Sequence, residues 1–293
     1  MNYRHAFHAG NFCDVLKHAT LALIIEHMKQ KPTPFRVLDV HGGAGLYRLD
    51  ADEAERTGEW RRGIGKIIGP GIAPPTNDVA AVLAPYLDVI TKLNKTHGRD
   101  ISRDDMLVYP GSPILAAALL RDDDALVANE LHPTDSQLLA RQLKSDARAR
   151  VTAVDAYAAI KANLPPPSRR GVLLIDPPFE EPGEWDRMIA GWSEAQKRFA
   201  TGTTVIWYPR KDIAAVEQFH RRATALVPAR LMRVELDVAD GRMPDMLFGN
   251  GLLIHNPPWQ LDAGLKLLLP FLRDRLKTGP HARFRIDWLK PPA

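Results

Sequence analysis

Phe35-Arg-Val-Leu-Asp-Val-His-Gly-Gly-Ala-Gly45 opens on a short apolar run and closes on three glycines within four residues. The run over 35–40 has the length of a buried strand. A strand delivered straight into a glycine turn is where a doubly wound α/β sheet holds its ligand. Gly42, Gly43 and Gly45 let the backbone approach that ligand closely. The turn is not a dinucleotide fingerprint, because Arg48 stands where the third glycine of that pattern belongs. Gly63, Gly65 and Gly69 fail the same spacing and follow no strand, and the chain has no G-x-x-x-x-G-K loop. These absences weigh against nicotinamide and nucleoside-triphosphate chemistry.

On the N-terminal side, a helix is expected from Asn11 to Gln30. Asn11 is the cap, Asp14 lies in the acidic first turn, and Val15, Leu16, Ala19, Leu23 and Ile24 form the apolar stripe. Pro32 and Pro34 end it. On the C-terminal side, an ordinary strand–helix–strand unit takes roughly 30 residues, but the next convincing strand is 125–129. Two helical segments, 52–68 and 77–95, fill the gap, with a Pro/Gly-rich break at 69–75. They read as an insertion before the return helix, which begins at Ser112-Pro113 with Ser112 as cap and proline in the first turn.

A regular alternation follows. Strands over 125–129, 150–154, 171–175 and 204–208 lead to helices over 134–146, 156–163, 185–200 and 211–226. Two last strands, 230–237 and 251–255, look antiparallel. The expected fold is α/β: a Rossmann-like methyltransferase sheet, mostly parallel with a terminal antiparallel pair, plus a small helical insertion. Residues 1–50 and 105–293 would form the main domain and 51–104 the insertion.

Asp176-Pro-Pro-Phe179 sits at the C-terminal end of the apolar strand 171–175. An adenine amino group is hard to methylate, because its nitrogen lone pair is delocalised into the ring. Asp176 and the carbonyl of Pro177 would draw its protons, and Phe179 would stack on the base, worth about 1–3 kcal/mol. Asn256-Pro-Pro-Trp259 has the same form, but it follows the last strand and is read as a structural turn. Strand-end acids recur at Glu130, Asp155 and Asp176, with Asp39 at the end of the first strand. Parallel strands bring such acids to one edge. Glu130 suits the two ribose hydroxyls of a cofactor, and Asp155 its adenine amino group. Lys17 and His18, two turns into the first helix, suit a carboxylate.

The stretch Tyr3–His18, His41-Gly-Gly-Ala-Gly45, Tyr109-Pro-Gly-Ser-Pro113, Asn129-Glu-Leu-His-Pro133, Arg169-Arg-Gly171, Asp176-Pro-Pro-Phe179, Arg198-Phe-Ala-Thr-Gly202 and Trp207-Tyr-Pro209 together resemble the bacterial 23S ribosomal RNA adenine-N6 methyltransferase J family nearly end to end. The resemblance implies S-adenosylmethionine as cofactor. It implies one N6-methyladenosine as product, on protein-free 23S RNA or an early assembly intermediate, and a monomer. It implies His18, His41, Ser112, Glu130, Asp155 and Asp176 as cofactor-site residues, with Lys17 and Gly43 beside them. Asp176 is then also the catalytic acceptor, and Tyr3 a substrate contact. Two positions depart from the pattern: Phe179 stands where the family often has tyrosine, and Ala156 where glycine is expected.

Composition narrows the class further. A net charge of +4 favours a polyanionic partner slightly. Basic residues recur at Arg141, Lys144, Arg148 and Arg150, at Arg169–Arg170, at Arg210–Lys211, at Arg221–Arg222, and in the insertion at Arg61, Arg62 and Lys66. The single cysteine, Cys13, excludes an intramolecular disulfide. His5, His8, Cys13 and His18 match no common zinc spacing, so no metal is expected. The apolar runs at 172–175 and 265–269 are too short to span a bilayer, and the polar N-terminus is unlike a signal peptide. Cytoplasmic residence is the expectation. The rival readings are a DNA adenine methyltransferase and a catalytically silent RNA-binding protein of the same fold.

Overall fold

The side chain of Asn11 accepts the backbone N–H groups of Cys13 and Asp14, and helix α1 runs from there over Phe12–Lys29. Two arginines far along the chain close its other end. Arg170 donates to the carbonyls of Met28 and Thr33, and Arg121 to those of Lys29, Lys31 and Thr33. Carbonyls left without helical partners are satisfied in this way. The computed structural model describes residues 4–241 and 246–292.

Strand β1 (Arg36–Asp39) enters the sheet next. The segment between β1 and Ser112, which contains the stretch 51–104 expected as an insertion, begins with β2 (Leu46–Arg48), α2 (Asp52–Thr57) and α3 (Glu59–Arg62), and continues with α4 (Asn77–Thr96) and β3 (Val108–Pro110). Strands β2 and β3 pair antiparallel at its base. The single helix expected over 52–68 is broken. Gly58 takes a left-handed conformation (φ 57°) and ends α2. A Cβ on Gly63 would lie 2.0 Å from the Gly10 carbonyl, so only glycine allows that close approach.

Beyond the insertion come α5 (Ser112–Leu119), β4 (Ala125–Asn129), α6 (Pro133–Leu143), β5 (Ala149–Thr152), α7 (Ala156–Asn163) and β6 (Gly171–Ile175). Then follow α8 (Glu184–Phe199), β7 (Thr203–Arg210), α9 (Ile213–Leu226), β8 (Leu231–Asp237), β9 (Gly249–His255), α10 (Leu261–Leu276) and β10 (Arg283–Lys290). The main sheet has eight strands in the order β10-β8-β9-β7-β6-β1-β4-β5. Strands β1, β4, β5, β6 and β7 are parallel to their neighbours in that run. Strand β9 lies antiparallel between β7 and β8. The mostly parallel α/β class is as expected. The expected antiparallel pair gains a further antiparallel strand, β10, on the outer side of β8.

Alternate residues of the central strands face opposite layers. Val37, Val172 and Leu174 join one apolar cluster with residues of α1, α4, α5 and α10. Leu38, Leu173 and Ile175 join the other with residues of α7, α8 and α9. No helix among the described residues is long and apolar enough to cross a membrane.

Fully buried Asn94 fastens α4 to β3. Its oxygen accepts from the backbone N–H of Leu107 and Val108, and its amide donates to the carbonyls of Val108 and Ile90. Asn94→Ala leaves these groups buried without partners and is expected to destabilise the protein by about 3 kcal/mol. A chemical denaturation midpoint equal to that of the wild type would contradict this role.

Candidate active site

The carboxyl ends of the parallel strands meet at one edge of the sheet, where they floor a cavity of about 510 Å³. Asp39 ends β1, Glu130 follows β4, Asp155 follows β5 and Asp176 follows β6. All but Asp39 line the cavity. Helix α1 forms one wall and brings Lys17 and His18 to it. Gly43, His41, Ser112, Pro177 and Phe179 complete the sequence-predicted residues found there. Tyr3 lies outside the described residues.

The glycine turn is built around a carboxylate. Gly43 (φ 59°) donates its N–H to Glu130 Oε2 at 2.8 Å, and His132 donates its N–H to Glu130 Oε1 at 2.7 Å. A Cβ on Gly43 would fall 2.1 Å from the Tyr47 hydroxyl. Burial lifts the Glu130 carboxyl above its ordinary value, against the two N–H groups that favour its charged form. Asp155 is exposed, and its Oδ1 caps α7 by accepting from the N–H of Tyr157 and Ala158.

Ser112 corrects the sequence reading. The cap of α5 is Gly111, and the Ser112 side chain makes no cap bond. Its hydroxyl donates instead to Asp39 Oδ2 at 2.6 Å. Burial pushes the Asp39 carboxyl up to about 6, opposed by Ser112 and by the N–H of His41.

Asp176 is held from two sides. His41 Nδ1 accepts its backbone N–H at 3.2 Å. The ammonium of buried Lys17 donates to its Oδ2 and is also bound by Asp14 at 2.9 Å. Burial alone would lower Lys17, and the two carboxylates more than reverse this, holding its charge firmly. Asp14 was visible in the sequence only as a first-turn acid. In the structure it is wholly buried and also accepts from Gly10 N–H and pairs with His5.

Phe179 takes a left-handed backbone conformation (φ 52°). Its ring meets Trp185 edge-on at 4.6 Å and Trp207 at 6.0 Å. Trp207 lines the cavity and went unremarked as a site residue; its place near the end of a strand beside β6 was the available signal. His18 Nδ1 is 2.8 Å from the Tyr109 hydroxyl, while its Nε2 has no hydrogen-bond partner among the described residues. Burial lowers His18 to about 3 and His41 to about 4, so both rings are neutral at pH 7.

The N-terminal lip is pinned by the insertion. Glu59 accepts from Asn11 and pairs with His8, and Thr57 donates to the Phe7 carbonyl. Several basic groups prove structural. Arg148 binds Asp146 and the carbonyls of Ala117 and Leu120, and Arg210 is buried between Glu235 and Asp237. Asn256-Pro-Pro-Trp259 follows antiparallel β9. His255 faces Thr204 near the start of β7, which places this tetrapeptide at the sheet edge opposite the cavity.

A family model described as Ribosomal RNA large subunit methyltransferase D, RlmJ, matches residues 32–290. The chain is 38% identical over 291 residues to ribosomal RNA large subunit methyltransferase J of Escherichia coli (strain K12), covering 99% of each. It is 36% identical to the protein of that name from Haemophilus influenzae, again over 99% of each. The crystal structure of protein LPL1258 from Legionella pneumophila is similar to it with a TM-score of 0.83 and 29% identity, over 96% of this chain and 98% of that one.

Each neutral, buried ring takes up a proton readily only when the chain unfolds. Stability contributed by His18 and His41 is therefore expected to fall as pH drops from about 6.5 toward 4. By NMR, both rings should keep their neutral C–H positions from about pH 8 to about pH 5. A titration midpoint near 6.5 for either would contradict the burial argument.

Proposed function

Since the chain belongs to the family Ribosomal RNA large subunit methyltransferase D, RlmJ, we propose that it methylates the exocyclic N6 of one adenine in 23S ribosomal RNA, with S-adenosylmethionine as methyl donor. The observation that carries this reading is the setting of Asp176-Pro-Pro-Phe179. The motif ends a parallel strand, opens on the cavity, and is fixed by Lys17 and His41.

The cavity suits the donor. Glu130, held by the Gly43 N–H, offers its remaining lone pairs to the ribose hydroxyls. His18 Nε2 is a buried polar atom with no hydrogen-bond partner among the described residues, with Asp14 Oδ1 3.7 Å away, and is suited to the carboxylate of the methionine part. Asp155 keeps one oxygen beyond its cap bonds for the adenine amino group. Ser112 and His41 complete the wall. The donor supplies an electrophilic methyl group on a sulfonium.

The remaining work falls to the chain. Asp176 and the carbonyl of Pro177 would accept hydrogen bonds from the amino group and turn the nitrogen lone pair out of the ring toward the methyl group. In-line transfer would form the N–CH3 bond as the S–CH3 bond breaks, the donor leaving as its thioether and the nitrogen giving up one proton. Lys17 fixes the rotamer of Asp176 and balances its charge. Phe179, braced by Trp185 and Trp207, holds the face of a base that has left its stack. Tyr3 is the further position proposed to touch the RNA. The substrate is proposed to be protein-free or early-assembly 23S RNA, and the enzyme a cytoplasmic monomer.

The test is methyl transfer from labelled S-adenosylmethionine to naked 23S RNA, with DNA and assembled subunits in parallel, followed by nucleoside digestion. Label is expected in N6-methyladenosine from naked RNA. Asp176→Ala should lower kcat by at least about a hundredfold, and Phe179→Ala should raise KM for RNA about tenfold. Label on DNA alone would overturn the substrate. A near wild-type rate with Asp176→Ala would overturn the mechanism.

A further inference from the structure

The proposed substrate is a polyanion, yet the cavity is lined by acids. Glu130, Asp155, Glu180, Glu181 and Glu184 all contribute to it. A phosphodiester arriving with the target adenosine is repelled by acids of that lining that no cation neutralises. Only cations not already neutralised can offset this. Three lysines or arginines line the cavity among the described residues. Lys17 is bound to Asp14 and Asp176, and Arg187 to Glu184. The third, Lys211, is exposed, and no carboxylate among the described residues pairs with it.

Its place in the fold is informative. Lys211 directly follows β7, which lies beside β6 with Ile206 opposite Ile175. That register sets Trp207 next to Asp176, and the Trp207 ring is 6.0 Å from Phe179. Lys211 therefore stands on the same side of the opening as the ring that would hold the base. Pro209 and half-exposed Leu247 line the cavity there too, and neither adds charge. A lysine is a compact charge on a flexible stem, suited to a phosphate whose exact position varies.

We propose that Lys211 forms a phosphate-binding site at the mouth of the cavity, taking the phosphodiester next to the extruded adenosine. The RNA strand then crosses the mouth on the β7 side. The site rests on the reading of the protein as an RNA adenosine methyltransferase.

The experiment compares Lys211→Ala, Lys211→Glu and Lys211→Arg with wild type on naked 23S RNA. RNA retention on filters is measured across a salt series, together with methyl-transfer kinetics and S-adenosylmethionine affinity. Lys211→Ala is expected to raise KM and Kd for RNA about five- to tenfold. Its log–log salt slope should be shallower by about one. Its kcat should stay within about twofold of wild type, with donor affinity unchanged. Lys211→Glu should bind still more weakly, and Lys211→Arg should restore most of the affinity. Wild-type RNA affinity and salt slope in Lys211→Glu would overturn the site. If the wild-type protein binds RNA but methylates none, the enzymatic reading fails, and the affinity comparison still decides for or against Lys211.

Discussion

The ammonium of Lys17 joins the first helix to the far edge of the sheet. It lies between Asp14, one turn earlier on α1, and Asp176, at the end of β6. A cation removed from water on this scale is tolerable only when carboxylates surround it. The same contact gives Asp176 a fixed position and draws α1 over the cavity as a wall. Asp14 in turn gathers His5 and the backbone of Gly10, so the N-terminal lip is ordered by the same charge. Removing the cation would leave buried Asp14 and partly buried Asp176 without their shared counter-charge, and removing either acid would leave the lysine half-compensated.

Around that contact the fold divides its labour. The strand ends supply acids, the glycine turn holds one of them through the Gly43 N–H, and the insertion braces the lip through Glu59 and Thr57. The aromatic group Phe179, Trp185 and Trp207 makes one flank of the cavity apolar. The opposite flank, around Glu130 and Gly43, is polar and rich in backbone N–H groups. One end of the cavity thus suits a nucleoside's hydroxyls and the other a planar base.

Much of this was legible in the chain because strands, turns and strand-end acids announce themselves locally. Phe35–Gly45 and Gly171–Phe179 read correctly because their apolar runs and turn residues are adjacent in sequence. The element over 52–68 did not, because Gly58 turns left-handed to end its first helix and Gly63 is required by a distant partner, the Gly10 carbonyl. Ser112 looked like a cap since serine before proline commonly is one, but Asp39, 73 residues away, claims its hydroxyl. The last helix and strand were readable and were passed over. Leu261, Leu265, Leu268, Leu269, Leu272 and Leu276 keep helical spacing, and Phe284, Ile286 and Trp288 alternate with charged residues. Asp14 was hidden for a different reason: an acid in a first helical turn is ordinarily solvated, and nothing in the local sequence shows that it is buried.

Strand β1 pairs with β4 on one side and with β6 on the other, so Arg36 finds its second neighbour at Gly171. Translation at about 5–20 residues per second delays that partner by on the order of ten seconds. Through that interval the oldest strand of the sheet has one bare edge, and α1 lacks both arginines that close its end for part of it. Asp176-Pro-Pro-Phe179 emerges immediately behind β6. The nascent chain therefore acquires the centre of its sheet and this part of the cavity lining in the same moment of synthesis.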